Sequence, residues 1–304
     1  MKPTEYIWKN GQFIRWEDAQ VHVMTHALHY GTAVFEGIRA YETAKGPAIF
    51  RGPDHFQRLH DSGKFFHMAI GYSVDNLMDI TKELIRKNQL TSCYIRPLSY
   101  FGYKEMGLYP LNNPVETFIA AWEWGAYLGE EGLKRGIRCK MSSWNRLDSR
   151  TMPPMAKSSG NYINSALAKI EAKKCGFDEA ILLNTQGKVA EGPGENIFVI
   201  RHGVLYTPPC SDGALHGITY QSVIQIAKDL GLQIVQRSLI RDELITADEL
   251  FFTGTAVEVT PIREIDGYVI GNGTRGPITE QIQSTFFAAI RGQDPRYEGW
   301  LSYV

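Results

Sequence analysis

Thr151-Met152-Pro153-Pro154-Met155-Ala156-Lys157-Ser158-Ser159-Gly160-Asn161-Tyr162 is an irregular segment unlike a solvated loop. One lysine stands among apolar and small residues, just ahead of a stretch with helical periodicity at 161–174. Small neighbours leave room beside the amine, while limited solvent and a helix N-terminus disfavour its charged form. An uncharged amine is what Schiff-base chemistry needs. Taken alone, the segment is better read as carrying an ordinary rim lysine.

Outward from this segment, strands and helices mix on both sides. Upstream, Tyr6-Ile7-Trp8 and Gln12-Phe13-Ile14 flank Asn10-Gly11 and predict a hairpin. Extended stretches follow at 33–41 and 48–51, with a helix at 55–68 capped by Asp54 and another at 74–88. Two strands are expected at 92–100 and 116–124. Three glycines within 125–132 mark a connector or active-site loop, and the domain boundary is placed there. The expected domains are a smaller one over 1–124 and a larger one over 133–304. Downstream, strands are predicted at 136–142, 180–184, 188–190, 196–200, 233–237 and 249–253, and helices at 161–174, 219–230 and 279–290. The order lacks the regular strand–helix rhythm of a doubly wound sheet, so the fold class is a mixed α/β (α+β) one.

Composition removes several classes of function. The 304 residues carry 32 Lys+Arg against 33 Asp+Glu, a formal charge of -1 that supplies no global attraction to nucleic acid or anionic membrane. With 43% hydrophobic residues, the chain has material for a sizeable core. The partners expected are small molecules and another copy of the chain. Cys93, Cys139, Cys175 and Cys210 form no metal-type cluster, and reduced thiols in a cytoplasmic protein are expected. No apolar run reaches the length of a membrane span, and no export signal opens the chain. His22, His26 and His29 have helical spacing but no defined carboxylate partners, and no metal is expected.

Three further features bear on chemistry. Glu191 and Glu195 flank a tight turn, Glu191-Gly192-Pro193-Gly194-Glu195, that can hold a carboxylate rigidly. Such a group can pair with a protonated ring nitrogen, although surface turns carry acids too. Leu215-His216-Gly217-Ile218-Thr219 and Phe252-Thr253-Gly254-Thr255-Ala256-Val257 resemble anion-binding turns at element ends, or simple caps. Neither GxxxxGK[ST] nor a strand-linked GxGxxG occurs.

In their order along the chain, these features closely resemble class IV pyridoxal-phosphate aminotransferases, in particular bacterial branched-chain amino-acid aminotransferases. The resemblance spans nearly the whole chain. It includes His26-Ala27-Leu28-His29-Tyr30-Gly31-Thr32, Val34-Phe35-Glu36-Gly37-Ile38-Arg39, Tyr94-Ile95-Arg96-Pro97 and Glu191-Gly192-Pro193-Gly194-Glu195-Asn196-Ile197-Phe198. It implies a two-domain, D-amino-acid-aminotransferase-like fold of pyridoxal-phosphate type IV. It also implies that Lys157 forms the internal aldimine and shuttles the proton between substrate Cα and cofactor C4′. By the same likeness, Glu191 pairs with the pyridine nitrogen and Tyr162 lies near the ring oxygen. The phosphate falls to Arg58, Gly217, Ile218, Thr219, Gly254 and Thr255. Pyridoxal 5′-phosphate, alternating with pyridoxamine 5′-phosphate, is the implied cofactor.

The implied substrates are L-leucine, L-isoleucine and L-valine, exchanged with 2-oxoglutarate and glutamate. Such a site needs apolar walls together with a receiver for a second carboxylate. The matching positions are Phe35, Gly37, Tyr94, Arg96, Trp124 and Tyr127, with Tyr30 expected from the partner subunit. Arg96 resembles the receiver of the glutamate side chain, and amides at Thr255-Ala256-Val257 the receiver of the α-carboxylate. Val257 stands where the family usually has alanine, and Pro153-Pro154-Met155 before the lysine is also distinctive. Both leave the breadth of substrate use open. The family implies a homodimer at least, and hexamers built from three dimers occur in it. D-Amino-acid and (R)-amine aminotransferases share the fold and the lysine, but Tyr94-Ile95-Arg96-Pro97 with Phe35-Glu36-Gly37 favours the branched-chain group. A lyase-like relative fits those residues less well, and a non-enzymatic binding protein would not keep every catalytic group.

Overall fold

Asn10 and Gly11 both take positive φ (48° and 92°), the conformation a two-residue hairpin turn demands. They join β1 (Tyr6–Lys9) to β2 (Gln12–Arg15), with Tyr6 opposite Arg15 and Lys9 opposite Gln12. The computed structural model describes residues 2–125 and 128–304. The chain forms two compact units. The first comprises Met1–Trp124, Ala156–Gly160 and Ala289–Val304, and the second Gly125–Met155 and Asn161–Ala288.

The first unit is built on an antiparallel sheet. To the hairpin it adds β3 (Ala33–Phe35), β4 (Ile38–Thr43), β5 (Gly46–Phe50), β6 (Cys93–Phe101), β7 (Val115–Trp122) and a C-terminal strand, Leu301–Tyr303. β6 and β7 pair along their whole length, from Tyr94 opposite Trp122 to Phe101 opposite Val115. Along the other edge of β6, β3 pairs near Leu98–Tyr100 and β4 near Cys93–Ile95. The chain steps between these two strands at Glu36-Gly37. Helices α2 (Gly52–Lys64) and α3 (Val74–Lys87) bury Phe56, Leu59, Leu77 and Leu84 with Trp8, Ile38 and Ile95 in one core. Each such side chain contributes roughly 1.5–3 kcal/mol by leaving water. A short helix, α1 (His26–Tyr30), precedes β3.

The second unit carries a mixed sheet. It comprises β8 (Ile137–Met141), β9 (Glu179–Leu183), β10 (Val189–Glu191), β11 (Asn196–Arg201), β12 (Val204–Thr207), β13 (Ile234–Gln236), β14 (Glu249–Gly254) and β15 (Glu258–Ile265), with the two-residue β16 (Tyr268–Val269) on β15. The pairs β8–β9, β8–β15 and β12–β13 run parallel and the others antiparallel. Its helices are α4 (Gly129–Arg135), α5 (Tyr162–Lys174), α6 (Ile218–Asp229), α7 (Arg241–Ile245) and α8 (Pro277–Ile290), whose last residues belong to the first unit. Phe252, Ile181, Ile197, Leu250 and Ile262 fill its core.

Several expectations need correcting. Asp54 does not cap α2: the helix starts at Gly52 behind Arg51, and Asp54 instead accepts a hydrogen bond from Arg51 Nε at 2.7 Å. The stretch 125–132 is not all loop, because α4 begins at Gly129, supported by an i,i+4 pair between Glu131 and Arg135. A single cut that assigns 133–304 to one domain also differs from the observed units, because Ala156–Gly160 and Ala289–Val304 pack with the first. The sheet explains both: Ser159 N–H donates to Ala33 O, and Leu301–Tyr303 pairs with β5. The four cysteines are free, and burial pushes the Cys93 thiol up to about 12. Among the described residues, no helix is long and apolar enough to cross a membrane.

Candidate active site

In the first unit, the lysine segment lies along β3 as a short extra strand. Val34 and Ser158 form an isolated antiparallel bridge, and Phe35 N–H donates to Lys157 O at 3.0 Å. On its other side, Lys157 N–H donates to Ser62 Oγ on α2 at 3.0 Å. These bonds fix the backbone from which the amine extends, and Nζ lies 5.0 Å from the centroid of the Phe35 ring.

Strand alternation places Tyr94 and Arg96 of β6 on one face of that sheet. Arg96 Nη2 donates to Tyr94 Oη at 3.0 Å, and its guanidinium carbon lies 4.8 Å from the Phe35 ring centroid. Tyr94 packs edge-on against Trp124 at 4.4 Å. A Cβ at Gly37 would stand 2.0 Å from Tyr94 Oη, so glycine leaves room for the Tyr94 side chain where it lies. The fold therefore gathers Phe35, Gly37, Tyr94, Arg96, Trp124 and Lys157. Ser158 Oγ and Arg96 Nε are buried without a hydrogen-bond partner, which suits a polar ligand beside the lysine. Tyr127 lies outside the described residues. Tyr30, at the end of α1, is 40% exposed.

Arg58 belongs to a buried cluster that the sequence does not reveal. Glu36, with no solvent exposure, accepts Arg58 Nε at 2.7 Å, Arg58 Nη2 at 2.8 Å and His55 Nδ1 at 2.8 Å. Burial alone would raise the Glu36 carboxyl, but the Arg58 guanidinium and the His55 bond outweigh it and hold it well below the usual carboxylate range. Burial pushes His55 down, so a neutral imidazole donating from Nδ1 accounts for the contact.

In the second unit, Glu191 ends β10 and is almost fully buried. Its Oε1 lies 2.7 Å from Arg146 Nη2, while Oε2 accepts Leu215 N–H at 3.0 Å and Asn196 Nδ2 at 3.3 Å. No sequence pattern singles out Arg146. It lies in the irregular stretch before the lysine and also donates to Ser165 Oγ and Gly213 O. Gly217 is the N-cap of α6, and no side chain caps that helix. A Cβ at Gly217 would stand 2.1 Å from Asn196 Oδ1, so glycine lets the α6 start approach the Glu191 shell. Ile218 and Thr219 open the helix and are buried. Gly254, paired with Glu258, closes a turn of Thr255, Ala256 and Val257. The Val257 side chain is buried in the core cluster that includes Phe252 and Leu250. Tyr162 is half-buried at the start of α5.

The three histidines at helical spacing, His22, His26 and His29, have separate partners. His26 bonds Thr32 Oγ1 and Gly107 O, His29 bonds Val23 O, and His22 stacks on Tyr103.

The amino-transferase class IV family model matches residues 33–265, a span that includes the lysine strand, the held carboxylate and the glycine-led helix start. The chain belongs to the class IV aminotransferases. It is 49% identical over 304 residues to the branched-chain-amino-acid aminotransferase of Escherichia coli (strain K12), covering 100% of this chain and 98% of that protein. It is similar to the crystal structure of a T.th. branched-chain amino acid aminotransferase with pyridoxamine 5′-phosphate, at 51% identity and TM-score 0.97 over 100% of this chain and 99% of that one. A structure of the same T.th. enzyme complexed with N-(5′-phosphopyridoxyl)-L-glutamate superposes at TM-score 0.95 and 51% identity, covering 99% and 98% of the two chains. The class IV fold is thus the mixed, D-amino-acid-aminotransferase-like fold of pyridoxal-phosphate type IV.

Proposed function

We infer that the chain catalyses reversible transamination of L-leucine, L-isoleucine and L-valine with 2-oxoglutarate, dependent on pyridoxal 5′-phosphate. The carrying observation is its likeness over full length, at 49–51% identity, to branched-chain aminotransferases. The cofactor, when bound, supplies an electron sink for loss of the α-proton, and it leaves the first half-reaction as pyridoxamine 5′-phosphate.

The residues fit that chemistry. Lys157 is the group that holds the cofactor covalently and, once released, moves the proton at the substrate α-carbon. Its backbone is pinned by Ser62 and Phe35, so the amine swings from a fixed root. Glu191 offers a buried, oriented carboxylate to the ring nitrogen, and Tyr162 stands near the ring oxygen. Arg58, the α6 start at Gly217, Ile218 and Thr219, and the turn at Gly254 and Thr255 hold the phosphate.

Phe35, Gly37, Tyr94 and Trp124 form an apolar wall for branched side chains, joined by Tyr30 from a partner copy. Arg96 receives the second carboxylate when glutamate replaces a branched-chain substrate. Its packing on two aromatic rings lets one pocket serve both. Backbone amides at Thr255, Ala256 and Val257, with Tyr94, receive the α-carboxylate. The active form is a homodimer at least, and the protein works in the cytoplasm.

The test is absorption of the cofactor-loaded protein on addition of L-leucine. The pyridoxal band should convert to a pyridoxamine band and return with 2-oxoglutarate. A band that ignores L-leucine but answers D-alanine or an (R)-amine overturns the branched-chain assignment. Lys157→Ala should abolish turnover.

A further inference from the structure

Glu36 poses a physical question. A buried carboxylate pressed against an arginine assigned to a phosphate works against anion binding on charge alone. Glu36 has no solvent exposure, and its carboxylate takes two parallel bonds from Arg58 at 2.7 and 2.8 Å. A two-point contact of this kind fixes the plane and heading of a guanidinium, which otherwise turns on a flexible stem. His55 adds a third donor to the same carboxylate, and as a neutral ring it brings no charge.

His55, Arg58 and Ser62 are spaced i, i+3 and i+7, on one face of α2. That face meets Glu36 through His55 and Arg58 and holds the Lys157 backbone through Ser62. One helix thus ties the arginine's heading and the lysine's root to a common rigid element.

We propose that Glu36 is a positioning residue that aims Arg58 at the cofactor phosphate, so that preference for phosphorylated over unphosphorylated pyridoxal depends on it. The proposal rests on the assignment of Arg58 to the phosphate.

The experiment uses the full-length protein stripped of cofactor, titrated separately with pyridoxal 5′-phosphate and with pyridoxal and followed by absorbance. Glu36→Gln keeps the shape and removes the charge. Glu36→Asp keeps the charge, but its carboxylate sits one methylene further back and no longer reaches Arg58 Nε and Nη2. Both should lose about ten-fold or more of the preference for the phosphorylated form, with pyridoxal affinity nearly unchanged. A general loss of structure would instead weaken both ligands alike, and that outcome in both variants overturns the proposal. So does a preference in Glu36→Gln that is unchanged or increased, the result if net charge governs. Arg58→Met separates the two layers. If it keeps the preference, the assignment of Arg58 fails; if it loses the preference while the Glu36 variants keep it, only the role of Glu36 fails.

Discussion

Arg146 and Glu191 form a pair with only 5% and 4% of their side chains exposed. Glu191 is legible in the sequence because it borders a glycine-rich turn between short strands. Arg146 is not, since it lies 45 positions upstream in an irregular stretch without periodicity. Removing one member of a buried ion pair strands the other charge, at a typical cost of about 3–5 kcal/mol. Arg146→Met should therefore lose about that much stability in denaturant unfolding. The double variant Arg146→Met/Glu191→Gln should recover part of it, because the stranded charge is gone. A loss below about 1 kcal/mol in the single variant would mean that Leu215 N–H and Asn196 alone suffice for Glu191.

Among the elements, α3 shows how far local signals reach. Its apolar positions Leu77, Ile80, Leu84 and Ile85 predict the helix, and Ser73 caps it reciprocally: Ser73 Oγ accepts Asn76 N–H while Asn76 Oδ1 accepts Ser73 N–H. Ser73→Ala should cost about 1 kcal/mol with no effect on turnover. Thermal unfolding would detect it, and an unchanged midpoint would make the cap idle. Other elements carry weaker signals. No strand is predicted over β15, because Pro261 and the charged Arg263 and Glu264 interrupt its alternation. It is a strand because β14 pairs with it from Leu250–Ile262 to Gly254–Glu258. α4 is hidden by glycines that usually mark loops.

For the molecule as a whole, two buried glutamates pull stability in opposite directions with pH. Glu36 titrates below its unfolded value, so its contribution is present above roughly pH 4.3 and is lost as pH falls through the folded value. Burial, with Glu179 nearby, raises the Glu195 carboxyl. Its contribution is present below roughly pH 4.3 and is lost as pH rises through the folded value. Glu195→Gln should flatten the decline of stability on the alkaline side of that range while leaving the acid limb in place. Unfolding midpoints across pH would show it, and an unaltered alkaline slope would remove Glu195 as the cause.

What the sequence determined by itself follows from short-range physics. Hairpin turn chemistry and the 3.6-residue periods of α2, α3 and α5 act within a few residues, so they can be read directly, while the order of lysine, glutamate and glycine-led turns is read through its resemblance to a family. The tertiary structure decided what depends on contacts between distant positions. It set Glu36 against Arg58 and His55, Arg146 against Glu191, and Lys157 against Ser62. It also returned Ala156–Gly160 and the C-terminal strand to the first unit's sheet. Burial makes such partners necessary, because a charge or backbone amide removed from water must find another group. Which group it finds is settled by the meeting of whole elements, and no local pattern encodes that.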